Sequence, residues 1–134
     1  MGHPSPRGRL LIVDDDYSVC AMLVEKFANE GYDCDSCSGG ELALDLLRHH
    51  VYDALVVDLM MPGITGLEVL AIAKKSHPRT AFIVITGMHD IQLAERALSQ
   101  GADAYHVKPI HLRELAASLT QAIERKRHYG ESTD

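Results

Sequence analysis

The chain has 134 residues, 46% of them hydrophobic and 24% charged, with a formal net charge of -6. That length suffices for one domain with a self-supporting core, and the acidic balance argues against a surface built to coat nucleic acid, which needs a basic face. No apolar run approaches the ~20 residues of a membrane-crossing helix, and Met1 to Arg9 contain no apolar signal-peptide stretch.

Residues 1–8, with their Gly and Pro, read as an unstructured or cloning-derived leader. Residues 9–128 read as one domain, and 129–134 as a tail or the start of a linker. Leu10-Leu11-Ile12-Val13 predicts a buried strand, after which Val19, Cys20, Leu23, Val24 and Phe27 recur at helical spacing as far as Gly31. Asp16 is placed to cap that helix. Tyr32 to Cys37 predicts a more polar strand near a sheet edge. Ser38 with Glu41 has the form of a capping box, opening a helix with the stripe Leu42, Ala43, Leu46 and Leu47. Ala54 to Val57 predicts a third strand, ending in Asp58. Met61-Pro62-Gly63 marks a turn, and Thr65 with Glu68 a second capping box. Ala81 to Ile85 predicts the fourth strand. Asp90 can cap a helix carrying Leu93, Ala94, Ala97 and Leu98 and closed by Gly101. Ala104 to Val107 is a short strand ahead of Pro109. Leu112, Leu115, Ala116, Leu119 and Ile123 form a last amphipathic stripe, whose trailing Arg125, Lys126 and Arg127 suit the negative end of a helix dipole.

Three cysteines, Cys20, Cys34 and Cys37, are too few and too odd in number for a disulfide framework. Cys34-x-x-Cys37 has the form of a redox or zinc motif but lacks a second pair, and in a strand residues three apart point to opposite faces. The expectation is buried, inert thiols in a reducing cytoplasm. Among the eight histidines, His49-His50 suits a helix C-terminus, and His106 and His111 flank the Lys-Pro turn. No pair has a zinc-like i, i+4 spacing with a carboxylate partner.

Near-continuous apolar strands alternating with helices imply a parallel sheet covered on both faces. Right-handed crossovers bring every strand's C-terminal end to one edge, where ligands of such sheets bind. Asp14, Asp15 and Asp16 follow the first strand, Asp58 ends the third, Thr86 follows the fourth and Lys108 the fifth. Converging carboxylates raise one another's pKa unless a cation offsets them. A hard divalent ion with oxygen ligands, Mg²⁺ foremost, is the remedy. Adding the Lys108 charge and the Thr86 hydroxyl gives the surroundings that phosphoryl transfer needs, with a carboxylate nucleophile forming an aspartyl phosphate.

Leu-Leu-Ile-Val-Asp-Asp-Asp (10–16), Val-Val-Asp-Leu-Met-Met-Pro-Gly-Ile-Thr-Gly (56–66), Ile-Val-Ile-Thr-Gly (83–87) and Gly-Ala-Asp-Ala-Tyr-His-Val-Lys-Pro (101–109) resemble the response-regulator receiver domains of two-component signal transduction. The resemblance runs from Arg9 to Arg127. It implies an α/β fold, a single doubly wound, flavodoxin-like five-stranded parallel sheet of order 2-1-3-4-5 with five flanking helices. It implies that Asp58 is the phosphoacceptor and that Mg²⁺ binds Asp15, Asp58 and the Met60 main-chain carbonyl, with Asp14 acting through water. Lys108 would pair with a phosphoryl oxygen, Lys108-Pro109 would be a cis peptide, and Thr86 with Tyr105 would be the switch pair.

The implied donor is the phosphohistidine of a sensor histidine kinase or a phosphotransfer protein. The implied output is a shift of the face formed by the fourth helix, fifth strand and fifth helix toward a downstream protein or output domain, with a homodimer as a further partner state. The domain would act on no substrate other than itself and would contact neither nucleic acid nor membrane. Three positions depart from the common pattern. Gly87 adds backbone freedom after Thr86. Met60 and Met88 put thioethers, which are weak acceptors, where polar side chains assist the attacking water. Slow self-dephosphorylation is therefore expected. Two rivals stand beside this reading. In a haloacid-dehalogenase-like phosphatase, Asp14-x-Asp16-x-Ser18 would be the opening motif and Asp14 the nucleophile, which leaves Met-Pro-Gly after Asp58 unexplained. The other is a receiver-like binding module that takes no phosphate, against which stands the full set Asp14, Asp15, Asp58, Thr86 and Lys108.

Overall fold

The structure, a computed structural model, describes residues 6–128. The expected tail 129–134 and the first five residues of the expected leader lie outside the described residues. In chain order the elements are β1 (Arg9–Val13), α1 (Tyr17–Asn29), β2 (Asp33–Cys37), α2 (Gly40–His49), β3 (Ala54–Asp58), α3 (Gly66–Ser76), β4 (Ala81–Thr86), a 3₁₀ turn (Met88–Asp90), α4 (Ile91–Ser99), β5 (Ala104–Val107) and α5 (Leu112–Arg127). The sheet runs β2-β1-β3-β4-β5 with every pair parallel, the doubly wound order expected.

Alternation along the central strands builds two cores from one sheet. Leu11, Val13, Leu55, Val57, Phe82 and Val84 face the side covered by α2, α3 and α4. Leu10, Ile12, Ala54, Val56, Ile83 and Ile85 face α1 and α5. Strands buried on both faces have no polar position until they end, so polar side chains collect at the strand termini. The two edge strands are the exceptions: β2, with its sequence of Asp, Cys and Ser, and β5 are only partly buried. Cys34 packs toward the α1 and α5 core and Cys37 toward the other, which removes the local pairing that a redox motif needs. Of the three thiols only Cys20 is buried; Cys34 and Cys37 are half-buried, and burial pushes both thiols up to about 11.

Helix starts divide into two that follow the sequence reading and two that do not. Asp16 caps α1 by accepting from Ser18 N at 2.9 Å. Thr65 and Glu68 close a reciprocal capping box on α3, with Glu68 N donating to Thr65 Oγ1 at 3.3 Å. Ser38 and Glu41 form no such box. The helix begins one residue later, with the extended Gly39 as its cap, so Ser38 stands outside it and Glu41 falls one position short of the reciprocal place. Asp90 makes no side-chain cap on α4 either, because the 3₁₀ turn runs directly into the helix and leaves Asp90 already turned. Gly101 does close α4, at φ +110, a conformation that favours glycine.

The leader boundary also moves. Gly8 O accepts from Asp33 N at 2.9 Å, Arg7 N donates to Gly31 O at 2.9 Å, and the Arg7 guanidinium lies 4.8 Å from the Tyr32 ring centroid. Arg127 in turn donates to Arg7 O at 2.9 Å. These contacts are long-range, so composition could not show that Arg7 and Gly8 belong to the domain. Among the described residues no helix is long and apolar enough to cross a membrane.

Candidate functional site

At the C-terminal edge of the sheet, β1 and β3 deliver carboxylates side by side. Asp14 follows β1 and its N–H donates to Cys37 O at 3.2 Å, which continues the sheet by one residue. Asp14 is 2% exposed and Asp58 6%, whereas Asp15 turns outward. Asp14, Asp15 and Asp58 each offer an oxygen within 4.8 Å of the others. Lys108, just past β5, reaches across with Nζ 3.1 Å from Asp58 Oδ2 and 3.3 Å from Asp14 Oδ2. Its backbone is pinned by a 2.8 Å bond from Lys108 N to Thr86 O, and the Lys108–Pro109 peptide is cis.

The remaining carboxylate oxygens are held unequally. Asp58 Oδ1 accepts from Met60 N at 2.9 Å, and Asp14 Oδ1 from Asp16 N at 2.8 Å. Asp14 Oδ2 is buried with no directed hydrogen bond and has only the Lys108 charge beside it. Burial, followed by the nearby Asp58 charge, lifts the Asp14 pKa above the ordinary carboxylate value against the pull of Asp16 N–H and Lys108. Burial works against the charge on Lys108, yet Asp58 and Asp14 outweigh it and hold the ammonium above its usual range. Three oxygen ligands within reach of one another and one ammonium for three carboxylates make a donor set that fits a hard divalent cation.

Around this centre, Gly66 lets α3 start against the end of β3. A Cβ there would come within 2.9 Å of Asp58 O and Leu59 Cα, closer than side chains tolerate. Thr86 is fully buried at the end of β4, and its hydroxyl hydrogen goes to Asp90 O at 3.2 Å rather than to Asp58. Tyr105 is half-buried on β5 opposite Val84, packed toward the α4 side. Gly87 has φ −76, open to any residue, and a Cβ there would meet only Asp90 Oδ2 at 3.3 Å, so the freedom of glycine is not used. Met60 and Met88, 55% and 66% exposed, stand on the two loops that border Asp58. His106 faces away from this centre, with Nε2 2.8 Å from Ser118 Oγ on α5.

One residue at the mouth escaped the sequence reading. Tyr17 is 85% exposed and lines a cleft of about 270 Å³ with Asp14, Asp15, Cys20 and Cys37. An aromatic ring directly after three aspartates, off the apolar stripe of its helix, was the available signal.

Sheet order and edge together define a class, the doubly wound α/β domain with an acidic pocket between its first and third strands. Residues 10–120 match the response regulator receiver domain model, and the chain belongs to that family, the receiver component of two-component signalling. It is 30% identical over 124 residues to the cell cycle response regulators CtrA of Brucella ovis and Brucella abortus, covering 92% of this chain and 53% of theirs. The chain therefore spans about half the length of these curated relatives. Similar solved structures include the receiver domain of the Francisella response regulator 1452 (28% identical, TM-score 0.81, 89% of this chain and 98% of that one). A receiver domain protein from Clostridium thermocellum is comparable (26% identical, TM-score 0.83, 89% and 96%). Receiver domains of response regulators interact with kinases and output domains. The family match leaves the phosphatase reading, with Asp14 as nucleophile, without support.

Proposed function

We propose that this chain is a phosphoacceptor switch that takes a phosphoryl group from the phosphohistidine of a sensor kinase or phosphotransfer protein onto Asp58. The observation that carries the proposal is Lys108 bridging two buried carboxylates, with a third carboxylate, Asp15, within reach of both. An oxygen of Asp58 attacks phosphorus, the P–N bond breaks, and the imidazole leaves with its electron pair. Met60 N–H fixes the rotation of the Asp58 carboxylate, and Lys108, already 3.1 Å away, follows the charge onto a phosphoryl oxygen. Asp15, Asp58 and the Met60 carbonyl, with Asp14 acting through water, would hold Mg²⁺, which when bound neutralises charge on the carboxylates and phosphoryl oxygens.

Signalling follows from Thr86. To bond a phosphoryl oxygen, its hydroxyl must release Asp90 O, which frees the turn leading into α4. Tyr105, half-buried beside α4, is the side chain placed to occupy space vacated by that movement, and the shift is read on the α4-β5-α5 face. In this reading the domain catalyses only its own phosphorylation and dephosphorylation, resides in the cytoplasm, and meets a downstream protein, an output domain or a second copy through that face. The two exposed thioethers near Asp58 orient an attacking water poorly, which supports a slow loss of phosphate.

Labelling with a small acyl phosphate and Mg²⁺, followed by peptide mapping, tests the assignment. The label is expected on Asp58 and absent from Asp58→Asn. Undiminished labelling of that variant overturns the proposal, and label on Asp14 revives the phosphatase.

A further inference from the structure

We propose that Met60 and Met88 form an oxidation-sensitive pair whose conversion to sulfoxides shortens the life of the phosphoryl group on Asp58. This inference rests on Asp58 being the acceptor. Of the chain's five methionines, the two most exposed described ones are those that border Asp58. Met88 is 66% and Met60 55% exposed, against 39% for Met22 on α1 and 7% for Met61. Met60 is locked to the site through its N–H on Asp58 Oδ1 at 2.9 Å. Met88 opens the 3₁₀ turn after β4, and the two loops are joined where Leu59 N donates to Ile85 O at 3.0 Å. Two exposed thioethers thus stand on the adjoining loops that follow Asp58 and Thr86.

The chemistry needs only a peroxide. A thioether sulfur lone pair attacks one peroxide oxygen, the O–O bond breaks, an S–O bond forms, and the second oxygen leaves as water. Sulfur is oxidised by two electrons and hydrogen peroxide is reduced. The product bears a strongly dipolar oxygen that accepts hydrogen bonds, where the thioether accepted them weakly. A water held by that oxygen attacks phosphorus, a new P–O bond forms as the P–O bond to Asp58 breaks, inorganic phosphate leaves carrying the water's protons, and the carboxylate is regenerated. The competing nucleophiles are quiet: burial keeps the Cys34 and Cys37 thiols protonated at neutral pH. Met61, adjacent in sequence but inside the α2 and α3 core, is a built-in control.

The experiment treats the chain with hydrogen peroxide, maps oxidation by peptide mass, loads phosphate from a small acyl phosphate with Mg²⁺, and times its loss. Oxidation of Met60 and Met88 is expected ahead of Met22 and Met61, with phosphate lost about threefold to tenfold faster, below the gain from a full general base. Methionine sulfoxide reductase should restore the slow rate. The double variant Met60→Leu with Met88→Leu should show one rate before and after peroxide. Equal lifetimes in oxidised and untreated protein overturn the inference, as does acceleration that persists in the double variant. If untreated protein takes no label on Asp58, the acceptor reading falls and this inference with it. A labelled protein with a peroxide-indifferent lifetime sinks the inference alone.

Discussion

The two ends of the sheet collect polar groups by the same route and treat them in opposite ways. At the end where the strands begin, Arg9 pairs with Asp35 Oδ2 at 3.1 Å and lies 5.3 Å from the Tyr52 ring centroid. Tyr52 donates to the same Asp35 oxygen at 2.7 Å, and Asp53 accepts from Arg9 N at 2.7 Å. Apart from the buried Arg9 Nε, these polar groups find their counterparts within the chain. Where the strands end, three carboxylates share one ammonium. What separates the two ends is charge: Arg9 pairs with a single carboxylate, whereas Lys108 faces three, and the second arrangement fits an added cation.

The largest test of that contrast is to remove the cation at each end. Lys108→Ala leaves two buried carboxylates facing each other and should cost about 2 kcal/mol of metal-free stability, less than a fully buried pair because Lys108 is partly exposed. Arg9→Ala breaks a pair whose side chains are each more than a third exposed and should cost less than about 1 kcal/mol of pairing. Urea midpoints with unchanged slopes would measure both, and a costlier Arg9→Ala would erase the distinction.

A smaller change inverts the usual sign. In Asp14 the folded pKa is raised, so its protonated form is the one the fold prefers. That preference counts in full below the ordinary aspartate value of 3.8 and is lost as pH rises through the folded value. Asp14→Asn should therefore match the parent near pH 3 and exceed it by on the order of 1 kcal/mol at neutral pH without metal. With Mg²⁺ at ten times its dissociation constant the parent gains about 1.4 kcal/mol that the variant forgoes in part, and the gap closes. Thermal or urea unfolding across pH, with and without Mg²⁺, decides this. A variant weaker than the parent in both conditions would make Asp14 a structural group.

These effects were legible to different degrees, and the reason is range. Asp14, Asp58, Thr86 and Lys108 stood out because each interrupts or follows an apolar strand, and topology alone brings strand ends together. Asp16 and the Thr65–Glu68 box were visible because caps act over two or three residues. The Ser38 and Asp90 caps failed by one residue of helix register and by one unforeseen 3₁₀ turn, differences of a few dihedral angles that composition does not encode. The Arg9–Asp35–Tyr52 cluster and the Arg7 contacts join residues far apart in sequence, with no periodicity to announce them. The hold of Asp90 O on the Thr86 hydroxyl depends on how the 3₁₀ turn folds back, which no residue pattern encodes.

The smallest effect concerns His106, which belongs to neither end. It is half-buried on β5, its Nε2 meets Ser118 Oγ at 2.8 Å, and burial lowers its pKa against the pull of Glu114. A base whose folded pKa is depressed contributes stability that is present above its unfolded value and lost as pH falls through the folded one. Acidification from pH 7 to 5 should then cost less than about 1 kcal/mol, concentrated where β5 meets α5. Imidazole titration by NMR with amide exchange of β5 would read both quantities. Asp14 gains from acid the neutrality it lacks, whereas His106 loses by acid the neutrality it has. The two titrations should pull stability in opposite directions, and a His106 pKa above the ordinary imidazole value would mean that Glu114, not burial, governs this face.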